Sequence, residues 1–103
     1  MNFYMRDGTV VFLARACNES IPDFMSEFLP RFTNWRAANW KHIALGRSLS
    51  AQFKDPSGAP MDLDVAGNAI AQQLRAMAPA ARRQECSNLL QDFSSAEDGS
   101  RRR

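Results

Sequence analysis

The sequence predicts an all-α fold, a small bundle of four to five helices closed by one disulfide between Cys17 and Cys86. Apolar residues recur at spacings of three and four along most of the chain. The interruptions fall at clusters of Pro, Gly and Asp, where helices end. The two cysteines stand near the two ends of the helical stretch, 69 residues apart. With 103 residues, 45% of them hydrophobic, the chain fits one domain over 1–103 with a modest core.

The first element is the most ambiguous. Val10, Leu13, Ala14, Cys17 and Ile21 fall at helical spacing and Thr9 suits a cap, which predicts a helix from about Thr9 to Asn18. Phe3-Tyr4-Met5, Arg6-Asp7-Gly8 and Thr9–Leu13 also fit a short β-hairpin turning at Asp7-Gly8, which would make the fold α+β. Next, Ser20, Pro22 and Asp23 read as a helix start: a capping hydroxyl, a proline in the first turn and an acid at the positive end. Phe24, Phe28, Phe32, Trp35 and Asn39 then mark one stripe, continued by Ile43, Gly46, Leu49 or Ser50, and Phe53. Pro30 interrupts it at a cost of about 3 kcal/mol, which predicts two helices, or one bent helix, meeting there.

Lys54–Pro60 is a loop by composition, too short for a domain linker. Leu63, Ala66, Ile70, Leu74 and Met77 predict the next helix, with Asp62 and Asp64 placed favourably at its N-terminus. Pro79 ends that helix and can open another, whose inner face is Cys86, Leu89, Leu90 and Phe93. From Ser94 onward the composition predicts a frayed tail.

A Cys17–Cys86 bond would close most of the chain, worth about 4 kcal/mol on the chain-entropy model. It predicts an oxidising compartment, periplasmic or secreted. The alternative is a pair of buried thiols in a cytoplasmic protein. Met1–Gly8 lacks a charged segment followed by an apolar one, so an exported chain is expected to have lost its leader. No run approaches the roughly 20 apolar residues of a membrane helix, and no membrane insertion is expected.

The formal charge is +2, yet without Arg101, Arg102 and Arg103 it is ten Lys+Arg against eleven Asp+Glu, a near-neutral body that argues against nucleic acid as the partner. The distribution is uneven. Pro30–Lys54 carries Arg31, Arg36, Lys41, Arg47, Lys54 and His42, and no acid.

Little catalytic chemistry is legible. There is one His, no CxxC, HExxH or EF-hand spacing and no phosphate-binding glycine loop, so no metal and no cofactor are expected. Asp62 and Asp64 are two apart and do not share a helix face, which suits helix-end charge better than acid–base work. A Cys–His nucleophile would need the thiolate that a disulfide removes. A non-enzyme is expected. His42 and Asn39 fall on the apolar inner stripe, as a hydrogen-bonded polar pair in the core or as markers of a groove; His42 could also act as a pH switch. At 100° per residue, Arg36, Trp40, Arg47 and Lys54 share another stripe, with Ile43 at its border. Trp with Arg at i−4 and i+7 has the composition of a binding hot spot, suited to a protein with an acidic surface. The competing account buries Trp40 under a neighbouring helix.

A cysteine near the start, a Trp-Arg-x-x-Asn segment at Trp35–Asn39 and a cysteine in the last helix make a layout that resembles small exported bacterial helical proteins held by one disulfide. That category includes inhibitors, immunity proteins and acid chaperones. The resemblance implies a periplasmic protein-binding module such as an immunity or inhibitor protein. Two other readings stand beside it: a cytoplasmic nucleic-acid-associated protein using residues 31–54, and a small-molecule carrier with a cavity lined by Phe28, Phe32, Trp35 and Phe53.

Overall fold

The computed structural model describes residues 3–52, 54, 56–59 and 61–98. Those residues form five α-helices and a short 3-10 turn: α1 (Phe3–Ser20), α2 (Phe24–Ala38), α3 (Trp40–Ser48), the turn Ser50–Gln52, α4 (Leu63–Arg75) and α5 (Pro79–Asp98). The all-α reading with a Cys17–Cys86 bond therefore holds; the Cα atoms of the two cysteines lie 5.8 Å apart.

Helix α1 is the hub. It touches every other helix and packs most extensively on α4. Small residues permit that approach: a side chain at Gly8 would run into Leu63, and one at Gly67 into the ring of Phe12. This contact explains why no hairpin forms at Asp7-Gly8. Gly8 is a helical residue whose missing Cβ leaves room for α4, and Thr9 is not a cap. Its hydroxyl donates back to the Met5 carbonyl at 2.8 Å, one helical turn earlier, and the residue is buried.

The start of α2 also differs from the expected one. Ser20 closes α1, and the chain turns through Ile21 and Pro22 to Asp23, which sits in the left-handed region at φ 67°. Asp23 makes no side-chain cap. Asn18, on α1, supplies one instead: its Oδ1 accepts the Met25 N–H at 3.1 Å. Pro30 does not divide the helix. It is exposed, as is Ser26, whose carbonyl loses its i+4 donor to the proline ring and can turn to water. The break comes at Asn39, where the backbone reaches φ −118°, ψ 17° and the side-chain Nδ2 donates to the Trp35 carbonyl at 2.8 Å.

Helix α4 is capped by Asp62, whose Oδ1 accepts the amides of Asp64 and Val65 at 3.0 and 3.3 Å. Pro79 opens α5, whose backbone stays helical to Asp98, beyond the expected fraying point at Ser94. Phe53 and the residues after Asp98 lie outside the described residues.

The core is aromatic and lies between α2 and α5. Phe93 meets Phe28, Phe32 and Trp35 edge-on, with centroids 5.3, 5.7 and 5.2 Å apart. Phe28, Phe32 and Trp35 therefore pack against a fourth ring. Arg6 covers this cluster, its guanidinium 4.8 Å from the Phe93 centroid and 3.8 Å from the Asp92 carboxylate. The interior is completed by Val10, Ala14, Ile43, Leu74, Leu89 and the two half-cystines.

Candidate functional site

Because α2 turns its Phe24/Phe28/Phe32/Trp35 stripe inward, Leu29, Thr33 and Ala37 on its other side are exposed. On that side an open groove of about 500 Å³ is lined by Leu29, Phe32, Thr33, Arg36, Ala37 and Trp40. Leu29 and Trp40 are each 46% exposed, although both are large apolar residues. Between them Thr33 and Ala37 are small, so the floor is low in the middle and raised at both ends. The break at Asn39 sets the far wall: Trp40 opens α3, whose inward positions are taken by Ile43 and Gly46.

Three of the five expected contact residues meet here. Arg36 lies along the groove, with Nε 2.6 Å from Asp7 Oδ1 and its guanidinium 5.7 Å from the Phe32 centroid. The two charged atoms face each other off the N–H axis, so the contact is an ion pair and not an aligned hydrogen bond. The side chain remains 43% exposed, leaving part of the guanidinium open to solvent. Arg47 stands over the Trp40 ring at 5.3 Å from its centroid. Among the described residues no carboxylate lies within ion-pair distance of Arg47 or Lys41.

The other two belong elsewhere. Ile43 is fully buried and is a core residue, because α3 turns it toward α1. Lys54 is exposed but follows the end of α3 and the 3-10 turn, so helical spacing from Arg47 no longer places it on the stripe. Asn39 and His42 do not form a buried polar pair. Asn39 is half-buried and is occupied at the α2–α3 joint. His42 is exposed, its ring stacked 5.0 Å from Phe3 across from α1. Cys17 and Cys86 are both fully buried as the α1–α5 bridge.

Leu29, Thr33 and Ala37 escaped the sequence reading. Their signal was available: Leu29 and Thr33 precede Arg36 by seven and three positions, and Ala37 precedes Trp40 by three. A leucine in an aromatic-rich helix reads as core until the inward stripe has been assigned.

The described residues contain no group of three His, Cys, Asp or Glu side chains able to hold a metal ion. Asp62 is committed to its cap, and no helix among them is long and apolar enough to cross a membrane. Comparison with protein-family models, with curated proteins and with solved structures found no match.

Proposed function

We propose that this chain is a non-enzymatic protein-binding module that uses the Leu29–Trp40 groove, with Arg36 and Arg47 at its edge, to grip a protein with an acidic surface. The observation that carries this reading is Trp40. It is left 46% exposed beside an arginine, and Trp and Arg are among the residue types enriched at the energetic centres of interfaces. Arg47 holds the indole and offers its N–H groups to a carboxylate, while Arg36 offers its open side at the same groove. Burial of Trp40 and Leu29 would supply affinity, and the acid-free 30–54 segment would speed encounter. The disulfide makes an exported, oxidising setting the natural one. A rigid, disulfide-closed scaffold with one prepared face fits an inhibitor or immunity role, in which binding itself is the activity.

Nucleic-acid binding is the weaker alternative. Arg31 is already engaged by the Leu90 carbonyl, and apart from Arg101–Arg103 the chain is near neutral, leaving few cations to follow a phosphate backbone.

The test is the double variant Trp40→Ala/Arg47→Ala, assayed for retention of partner from the source cell. The expected result is loss of binding with an unchanged helical circular dichroism spectrum. Undiminished binding would reject the groove.

A further inference from the structure

We infer that the occupant of this groove is an acidic amphipathic α-helix presented by the partner. The inference rests on the protein-binding reading and adds the shape and chemistry of what is bound. The groove runs along the outside of α2 from Leu29 to Trp40, about 16 Å at the rise of a helix. A bulky residue stands at each end, and the small side chains of Thr33 and Ala37 leave room between them. Such a trough accepts the side-chain ridge of a second helix, which packs ridges into grooves.

An extended segment fits poorly. Strand addition needs a sheet edge with unpaired N–H and C=O groups, and the described residues offer only helices on this face. A strand laid over Leu29, Ala37 and Trp40 would leave its own backbone groups without partners on an apolar floor. A helix brings those groups already satisfied.

Charge selects among helices. The outward stripe Leu29, Thr33, Arg36, Ala37 and Trp40 contains no acid, and Arg47 and Lys41 extend the positive edge along α3. A second copy docked antiparallel would bring Arg36, near the middle of the groove, against its own counterpart, which disfavours self-association. The complementary helix carries aliphatic residues at i and i+4 for the trough, flanked by Asp or Glu reaching Arg36 and Arg47.

Two displayed peptide libraries test this directly: one randomised on the surface of a stable helical host, the other of unstructured linear peptides. Selection on the intact, oxidised protein should enrich helical clones with paired aliphatic residues and flanking carboxylates. Trp40→Ala should weaken the best synthetic peptide about 30-fold, the scale of a hot-spot residue. Arg47→Glu should weaken it at low salt more than at high salt. Linear clones that bind at Trp40 in non-helical form would overturn the helix inference and leave the protein-binding reading standing. Helical clones indifferent to both variants would remove both, as would enrichment of basic peptides. Concentration-dependent dimerisation abolished by Trp40→Ala would assign the groove to a second copy and overturn the inference.

Discussion

The guanidinium of Arg47 lies 5.3 Å above the indole of Trp40, on a helix whose neighbouring Ile43 is fully buried. The two tryptophans consequently have opposite roles. Trp35 is 2% exposed within the aromatic core, whereas Trp40 is nearly half exposed. Trp35→Ala should cost about 3–5 kcal/mol in denaturant unfolding. Trp40→Ala should cost about 1 kcal/mol or less, the worth of an exposed cation–π contact with some rim packing. Equal losses would mean that Trp40 is a core residue. Acrylamide should likewise quench Trp40 and spare Trp35, which single-tryptophan variants would read separately.

The Cys17–Cys86 bridge joins the hub helix to the last helix. Replacing both cysteines by alanine should lower stability by about 4 kcal/mol, the chain-entropy value for a loop of this size. The check is the urea midpoint of the double variant against the oxidised protein. An unchanged midpoint would mean that the bridge adds nothing to stability.

The α1–α4 contact depends on Gly67 lying under Phe12. Gly67→Val should destabilise by about 1–3 kcal/mol through overpacking, beyond any propensity effect. Shortening the ring in Phe12→Leu should recover part of that loss, giving a favourable coupling in a double-mutant cycle. Additive losses would show that the ring does not fill the space over Gly67.

Glu19 and Arg75 form a two-pronged surface pair between α1 and α4, with N–O distances of 3.0 and 2.7 Å. The hydrogen bonds from Arg75 hold the Glu19 carboxyl below its ordinary range, against the opposing effect of desolvation. A carboxyl depressed in the folded state stabilises above its unfolded pKa, and that contribution disappears as pH falls through the folded pKa. Glu19→Gln should therefore lower the melting temperature slightly at neutral pH and leave it unchanged in strong acid. The effect should also shrink with salt, since both groups are exposed. A loss that persists in strong acid would assign the residue a packing role.

What could be read from sequence follows from how local each cause is. Asp62 caps α4 and Pro79 opens α5 because their partners are within a few residues, and periodicity alone marked Phe28, Phe32 and Trp35 as inward. The misread features have distant causes. Gly8 looks like a turn residue until α4 is seen to need its missing side chain. The α2–α3 joint falls at Asn39 and not at Pro30, because Nδ2 of Asn39 captures the Trp35 carbonyl while the proline ring faces water. That shift ended the continuous helix on which the expected placements of Lys54, Ile43 and His42 relied. The Arg36–Trp40–Arg47 portion survived since it spans only the joint itself. Leu29, Thr33 and Ala37 became visible as groove once the opposite face of α2 was seen to be filled by Phe93.

The most direct test places a photoreactive amino acid at Ala37, on the groove floor, and for comparison at Val65, an exposed apolar position on α4. Irradiation in the source cells should yield one discrete cross-linked protein from position 37, none from position 65, and none from position 37 when Arg47→Glu is added. The same adducts from both positions, or an Ala37 adduct indifferent to Arg47→Glu, would contradict the groove as the binding surface.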